Sequence, residues 1–542
     1  MAKSTTIEPR RIDIENLPQD LGACQAMIVE LLQRLSREKV LIGNLQHQLN
    51  QLLRHRFGQR SDRVDEAQLL LFMEELAKAQ GEEKKPEEPA QSPRKPQGNG
   101  KGHGRKPLPA ELPREVVVHD VPETAKTCGK CEAPKIVIRQ QTTEQLEYVP
   151  ATLKVLQHVQ PVYACPNGCE GQMAMASKPM QPIEKGLAGP GLLAHVVTSK
   201  YADHLPLTRQ EGIFERHGIE ITKQTQWEWV WASATLVEPL YELMKAEVLA
   251  SNVIHTDDTP VDVQDRAHAK NIREGRVWVY VGDQDHPYMV YDYTQSRKRD
   301  GPVKFLKGFD GYLQADAYGG YDGIYAGKDV TEAGCWAHAR RKYVEAEATS
   351  PQIAIQAVAW IKLLYGVEDE AAARVLELPD DLDDKARRSR LIEERLRLRQ
   401  EKSKGIIDDF AKWLRQQDAL PKSPAGKAIG YTLRNLDALK TYLTDGALDI
   451  DNNVAERALR GLAIGRNNWT FFGSDRGGKA AATHYSLVQT CKRHGIDPFE
   501  YLRDVFTRIS ALPDSRLADL LPDRWKALRD QAKLTLADTP AN

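Results

Sequence analysis

Three acidic residues that lie far apart in the chain constrain its fold more than any other feature of the sequence. Asp257 and Asp316 each end an apolar run typical of a β-strand, and Glu456 lies inside a helical pattern. Carboxylates at strand ends, joined by a third from a helix, supply the hard oxygen ligands that can hold two Mg²⁺ or Mn²⁺ ions about 4 Å apart. Such a pair of ions supports in-line displacement at phosphorus. We therefore expect a fold that brings the three carboxylates together for polynucleotidyl transfer.

The segments around these acids predict a sheet followed by a helix. β-rich runs bounded by turn residues predict strands over 253–256, 277–281, 288–293, 311–315 and 330–333, and a helix over 337–346. Three hairpin-like strands, a helix and then the strand that carries Asp316 is the order expected of a ribonuclease-H-like sheet. This order would place Asp257 and Asp316 on neighbouring central strands.

Two adjacent acids, Asp257 and Asp258, compete for the first position of the site. Successive side chains of a strand point to opposite faces, so only one of them can face the metals. A lone Asp after a strand is more often a turn or capping residue, which makes each acid weak evidence when taken separately.

At these residues the sequence resembles the transposases of the insertion sequence 66 family, enzymes of the Asp-Asp-Glu class with a ribonuclease-H-like catalytic domain. The likeness runs from about Leu31 to Phe506, and its motifs are 255–260, 313–318, 451–457 and 465–469. The resemblance implies that Asp257, Asp316 and Glu456 hold two metal ions and catalyse DNA cleavage. It assigns the first position to Asp257 and leaves Asp258 as a neighbour that could assist it.

The length of the chain predicts several domains, and its net charge near zero does not by itself indicate DNA binding. A chain of 542 residues predicts three or four domains. Its 75 basic and 76 acidic side chains nearly cancel, so a DNA-binding surface must come from local segregation of charge. No apolar run is long enough to span a bilayer and no signal-peptide pattern is present, so we expect a cytoplasmic, nucleoid-associated protein.

Apolar residues recur every seven positions from Leu21 to Leu49, with further leucines three residues after members of the series. This heptad pattern predicts a short coiled coil and a homodimer, although a single amphipathic helix packed on the body would give a similar pattern. The segment that follows, from Gly81 to Pro109, is rich in Glu, Lys, Pro and Gly and predicts a disordered linker.

Four cysteines form two closely spaced pairs, Cys128 with Cys131 and Cys165 with Cys169. Paired cysteines joined by alternating segments predict a zinc ribbon in which four thiolates close a tetrahedral Zn²⁺ site. Because the protein would fill all four positions, the zinc would be structural.

A helix, a glycine-containing turn and a second helix capped by Thr222 predict a helix-turn-helix before the catalytic segment. Lys223, Gln224 and Gln226 would lie at its base-reading end. A three-helix spacer with a core of Trp227 and Trp231 is the alternative.

Further basic and amide side chains are candidates for contact with DNA phosphates. Some follow Asp316 on a predicted helix and others follow Glu456: His338, Arg340, Arg341, Arg457, Arg460, Arg466 and Asn468. The long helix-rich stretch between the second and third acids, about 350–445, resembles the helical insertion domains that lie over the active site in related transposases. Trp469, Phe471 and Phe472 are predicted to fill the core rather than to stack on a base.

Together these features predict a multidomain α+β protein with an N-terminal coiled coil, a zinc ribbon, a helix-turn-helix and a ribonuclease-H-like α/β catalytic domain interrupted by a helical insertion. The expected divisions are 1–80, 81–110, 111–182, 183–248, 249–349, 350–445, 446–500 and a helical tail at 501–542. The predicted function is a transposase acting on terminal inverted repeats and target DNA, and the resemblance adds two small accessory proteins as possible partners. The alternatives are a catalytically inactive DNA-binding regulator or accessory protein and a zinc hydrolase that uses His255, Asp257 and His338.

Overall fold

The computed structural model describes most of the chain from residue 180 to 537, together with short segments before it. The described residues are Asp20, Gln25, Met27, Leu31, Leu32, 153–160, 162–164, 173–175 and 180–537 without 185, 269, 328 and 379–381. The four zinc-ribbon cysteines, the linker and nearly all of the heptad segment lie outside these residues. The chain divides into two units, one of 82–176 and one of 1–81 with 177–542.

The smaller unit contributes one described antiparallel strand pair, β1 (Val162–Ala164) with β2 (Met173–Met175). These strands lie on either side of Cys165 and Cys169 in the sequence.

The larger unit begins with four helices: α1 (Pro190–Tyr201), α2 (Leu207–Arg216), α3 (Lys223–Leu236) and α4 (Glu238–Leu249). The helix pair expected of a helix-turn-helix corresponds to α2 and α3. Thr222 caps α3, because its side chain accepts a hydrogen bond from the Thr225 amide at 3.2 Å. Trp229, rather than Trp227 or Trp231, is the buried tryptophan of this helix, because it shares a face with Val230 and Ser233.

A six-stranded mixed sheet forms the centre of the unit. Its strands are β3 (Val253–Gln264), β4 (Ile272–Val281), β5 (Met289–Thr294), β6 (Gly311–Gln314), β7 (Val330–Ala333) and β8 (Phe471–Phe472). The order is β5-β4-β3-β6-β7, with β8 paired to the far end of β3. β3 and β4 are antiparallel, as are β4 and β5, whereas β6 runs parallel to both β3 and β7.

β3 is longer than its sequence predicts, because it does not end before Asp257. The antiparallel ladder with β4 continues to Gln264 and includes Asp257 opposite Val279 and Asp258 opposite Trp278. In its last four residues, buried Val261 and Val263 alternate with exposed Asp262 and Gln264. This pattern is that of a strand with one buried face, and the acids at 257 and 258 concealed its continuation.

Helices surround the sheet and complete the unit. Those between β5 and α8 are α5 (Asp300–Phe305), α6 (Asp322–Tyr325) and α7 (Trp336–Ala346). The predicted insertion is helical, with α8 (Pro351–Leu376), α9 (Asp384–Leu398), a π-helical turn (Arg399–Ser403), α10 (Lys404–Arg415), α11 (Pro424–Arg434), α12 (Leu436–Lys440) and a 3₁₀ turn (Thr441–Leu443). The chain then forms α13 (Asn453–Trp469), α14 (Asp475–Arg493), α15 (Pro498–Arg508), two 3₁₀ turns (Ile509–Ala511 and Asp514–Leu520) and α16 (Pro522–Ala537).

Two main hydrophobic clusters stabilise this arrangement. The first joins the sheet to the helices of 190–249 and to α13, α14 and α15. The second joins α7 to the helical segment through residues such as Trp336, Trp360 and Phe410. Among the described residues, no helix is both long and apolar enough to cross a membrane.

Candidate active site

The three predicted acids come from three elements that meet at one end of the sheet. Asp257 lies on β3, Asp316 follows the neighbouring parallel strand β6, and Glu456 lies in the first turn of α13, which packs on β3. Asp257 and Glu456 line one open pocket of about 310 Å³ together with Asp258, Thr259, His338, Arg341, Leu459, Arg460 and Ala463. Asp316 is half-buried and does not line this pocket.

Burial and neighbouring charges raise the pKa values of two of the three acids. Burial raises the pKa of Asp257 to about 7, and the charges of Asp316, Asp258 and Glu456 act in the same direction, while a hydrogen bond from the Asp258 amide opposes them. Burial also raises the pKa of Asp316, against the opposing effects of His338 and Arg297. Like charges held together in this way favour a cation among them.

Asp258 is neutralised by two arginines. Its carboxylate accepts hydrogen bonds from Arg297 at 2.8 Å and from Arg276 at 3.0 Å, and only 2% of the side chain is exposed. Arg297 also lies 3.9 Å from Asp316 and stacks over the Tyr318 ring. Asp258 therefore has its counter-ions inside the protein, whereas no arginine or lysine among the described residues forms a salt bridge with Asp257.

Glu456 faces two of the predicted DNA-contacting residues of α7. Its Oε2 accepts a hydrogen bond from Arg341 at 2.9 Å, and its Oε1 lies 3.6 Å from His338 Nε2. Oε1 is buried and accepts no hydrogen bond from the described part of the chain. Arg341 thus holds one oxygen of this carboxylate, and the other has His338 as its neighbour.

Asn452 connects the elements that carry the acids, a role that its motif did not reveal. The side chain is fully buried, donates to Thr256 O on β3 at 2.8 Å and pairs with His255 Nδ1 at 3.2 Å. Its amide contacts Cys335 Sγ, at the residue before α7, at 3.2 Å. Since Asn452 directly precedes α13, it fixes the start of the Glu456 helix against β3 and α7.

Of the other predicted DNA-contact residues on α13, some are exposed and others form hydrogen bonds within the protein. Arg457 and Arg460 are exposed on α13, and Arg460 lines the pocket. Arg466 instead donates hydrogen bonds to Thr259 Oγ1 at 3.2 Å and to the Pro260 carbonyl, so it joins α13 to β3. Asn468 pairs with Arg209 of α2 at 3.4 Å.

Arg340 and the aromatic residues lie around the site rather than in it. Arg340 is half-buried and does not line the pocket. Trp469 and Phe472 are buried and stacked with ring centroids 4.6 Å apart, as core residues, whereas Phe471 is 42% exposed. The core prediction is therefore confirmed for Trp469 and Phe472 and wrong for Phe471.

The three residues predicted at the base-reading end of α3 also differ in exposure. Lys223 and Gln224 are exposed, so both are accessible to DNA. Gln226 is completely buried and donates to Ile221 O at 2.9 Å. The structure thus places Gln226 in the core of the helix pair and not on a DNA-facing surface, because it shares the inner face with Trp229 and Val230.

The arrangement does not support the zinc hydrolase. His255 is buried, pairs with Asn452 and does not line the pocket. Across the described residues, no group of three His, Cys, Asp or Glu side chains could hold one metal ion as the side chains stand, and this includes Asp257, Asp316 and Glu456.

Comparisons with known proteins show the family of the chain. Residues 185–480 match the profile described as Transposase IS66 family. The chain belongs to this family. Residues 486–522 match the IS66 C-terminal element, 44–117 match Transposase C of IS166 homeodomain, and 125–170, which include all four paired cysteines, match the zinc-finger binding domain of transposase IS66.

Three curated relatives from Sinorhizobium fredii (strain NBRC 101917 / NGR234) are similar over nearly the whole chain. Uncharacterized protein y4hP is 34% identical over 89% of this chain and 88% of its own length. Uncharacterized protein y4qI is 31% identical over 95% of this chain and 99% of its own length. Uncharacterized protein y4jD is 30% identical over 95% of this chain and 98% of its own length. Membership of the IS66 family implies DNA as the partner, and the zinc-finger match indicates zinc binding.

Proposed function

We propose that this IS66-family protein is an Asp-Asp-Glu transposase that binds the terminal inverted repeats of its element, hydrolyses a phosphodiester to free a 3′-OH and joins that end to target DNA. The observation that carries the proposal is that Asp257 on β3 and Glu456 on α13 line one open pocket, while Asp316 follows the neighbouring parallel strand β6 and its charge acts on Asp257. Among the described residues, Asp257 has no arginine or lysine counter-ion, whereas Asp316 lies 3.9 Å from Arg297 and Glu456 accepts a hydrogen bond from Arg341.

The strand arrangement supports a ribonuclease-H-like catalytic fold. Three antiparallel strands in the order β5-β4-β3, followed by the parallel strands β6 and β7, match the arrangement expected from the sequence. In this arrangement the first acid lies on β3, the second follows the neighbouring strand β6, and a later helix supplies the third.

The donor set fits Mg²⁺ or Mn²⁺, which prefer carboxylate oxygens. Asp257, Asp316 and Glu456 would hold two ions, and Glu456 Oε1 is a buried oxygen without a hydrogen bond from the described residues. When bound, the ions would activate the attacking water or 3′-OH and stabilise the leaving oxygen. The paired cysteines would hold a structural Zn²⁺.

The remaining polar residues of the site would position the DNA. Arg460 and Arg341 line the pocket and can donate to phosphate oxygens, and Arg457 extends the basic face of α13. Arg276 and Arg297 hold Asp258 and, through Arg297, the loop that carries Asp316. Asp258 thus orients the site without needing to bind metal.

The test compares Glu456→Gln with Glu500→Gln, a change at an exposed ion pair on α15. The first removes a charge and a metal oxygen at nearly constant volume, and the second removes an equal charge elsewhere. In Mg²⁺, with linear DNA from the flanks of the coding sequence, we expect Glu456→Gln to reduce cleavage by several orders of magnitude, since metal ions supply several kcal/mol of transition-state stabilisation. Glu500→Gln should cleave like the wild type.

Two outcomes would reject the proposal. Wild-type cleavage by Glu456→Gln would show that the three-carboxylate assignment is wrong. A wild-type protein that binds the DNA ends but never cleaves them would instead be the catalytically inactive regulator.

A further inference from the structure

The segment 442–452, here called the connector, joins the helical segment 351–443 to the helix that carries Glu456. On the side of the sheet, Gln314 donates to Asp449 O at 2.6 Å and Asn452 donates to Thr256 O at 2.8 Å. The Glu456 amide donates to Asn452 O at 3.3 Å. Any displacement of the connector therefore passes directly to Glu456.

Arg399 holds the connector from the side of the helical segment. It is fully buried and begins the π-helical turn. Its guanidinium donates twice to Glu368, at 2.8 and 2.7 Å, and once each to the carbonyls of Tyr442 at 2.8 Å, Asp445 at 2.9 Å and Leu448 at 2.8 Å. Because arginine has five N–H donors, every donor is used. The bonds to these three carbonyls, together with those to Glu368, fix the connector against α8. A lysine ammonium could not make all of these hydrogen bonds.

Two more side chains of the helical segment contact the connector nearer to Glu456. Tyr365 of α8 donates to Asp451 Oδ2 at 2.8 Å, and Asp451 Oδ1 accepts the Asn453 amide at 3.0 Å at the start of α13. Arg395 of α9 donates to Asp449 at 3.2 Å. The helical segment thus holds the connector along most of its length.

We propose that Tyr365, Arg395 and Arg399 are positioning residues that set the location of Glu456. The helical segment then has a role in assembling the acidic site as well as any contact it makes with DNA. This inference rests on the proposed function, because it assigns to these residues the placement of a catalytic acid.

The central experiment compares Tyr365→Phe with Tyr343→Phe. Both changes remove one hydroxyl from a tyrosine in the second hydrophobic cluster, but Tyr343 pairs with Thr432 at 2.9 Å and does not hydrogen-bond to the connector. We expect Tyr365→Phe to lower kcat for end cleavage about tenfold with an unchanged KM for DNA, since a small misplacement of a catalytic group is costly. Tyr343→Phe should leave kcat unchanged at a similar thermal midpoint.

Hydrogen exchange provides a readout that does not depend on activity. Tyr365→Phe should speed amide exchange over residues 449–456, and Tyr343→Phe should not. Arg399→Lys keeps the positive charge but loses the planar guanidinium, so it should lower kcat and speed exchange over residues 449–456 more than Tyr365→Phe does. Arg374→Lys, at an exposed ion pair on α8, should change neither quantity.

Equal kcat and equal exchange for Tyr365→Phe and Tyr343→Phe would overturn the inference. A wild-type protein without cleavage activity would reject the proposed function alone, because the exchange comparison would still decide whether these residues fix the start of α13.

Discussion

The neighbouring acids of β3 have different electrostatic surroundings although they differ by one position. Asp258 is enclosed by Arg276 and Arg297, whereas Asp257 has the raised pKa of a buried acid near other carboxylates. The same chemical change should therefore have different effects at the two positions.

We predict that Asp257→Asn abolishes cleavage without loss of stability, because it removes a charge that is repelled by its neighbours. Asp258→Asn should lower the free energy of unfolding by about 1–2 kcal/mol, since it weakens charged hydrogen bonds from Arg276, which keeps Glu274, and from the half-exposed Arg297. Thermal unfolding and a cleavage assay on both proteins measure the contrast. An Asp258→Asn protein as stable as the wild type would contradict the structural role of this acid.

A second residue-scale prediction concerns His484, which is fully buried in α14. Its Nε2 contacts Val230 O at 3.0 Å and Ser233 Oγ at 3.2 Å on α3, and burial lowers its pKa to about 4. The unfolded chain takes up a proton below about pH 6.5 but the folded chain does not until about pH 4, so stability should fall as pH falls through this window. The contribution is on the order of 2–3 kcal/mol.

Urea unfolding between pH 4 and 7 would measure this contribution. The difference between the wild type and His484→Gln isolates the residue, because other histidines titrate in both proteins. If the difference in unfolding free energy does not change with pH, His484 is not the group responsible.

At the scale of single elements, the predicted helix-turn-helix, α2 and α3, packs on the helices that cover the sheet. α3 contacts α14 through His484, and α2 contacts α13 through Arg209 and Asn468. Only the outer face of α3 is accessible to DNA.

This division gives separate expectations for the three residues proposed at its base-reading end. Lys223→Ala should weaken DNA binding and reduce the salt slope by about one, and Gln224→Ala should weaken binding at particular bases. Gln226→Ala should instead cost about 1–2 kcal/mol of stability, because it removes a buried hydrogen bond. Fluorescence anisotropy over a range of salt and thermal unfolding distinguish these effects. Equal loss of affinity in all three variants would show that the helix rearranges on DNA.

The sequence predicted the elements better than their environments. Strand and helix types around Asp257, Asp316 and Glu456 followed from local periodicity, and so did the cap at Thr222. The length of β3 did not, since charged residues in a strand resemble a turn. The partners of Asp258 and Arg399 could not be found either, because residues far apart in the chain supply them and no local pattern records such pairs.

At the scale of the whole molecule, the predicted zinc ribbon is the N-terminal module with the most direct experimental test, which is its metal content. We predict that changing Cys128, Cys131, Cys165 or Cys169 to Ser lowers the zinc content, because each supplies one of four thiolates. Cys24→Ser, which removes an isolated thiol, is the matched control. Elemental analysis of protein purified without chelator decides the matter. Full zinc retention after loss of two paired cysteines would reject the ribbon.

The pairing of β8 with β3 has a consequence for how the protein is synthesised. Residues 471–472 form a short strand that pairs with the far end of β3, the strand that carries Asp257, and α13, which carries Glu456, directly precedes them. During translation, the proposed zinc ribbon and helix-turn-helix therefore leave the ribosome well before the third acid and the last strand are synthesised. Under the proposed function, an unfinished or truncated chain could occupy an element end but could not cut it, so DNA breakage would be restricted to completed chains.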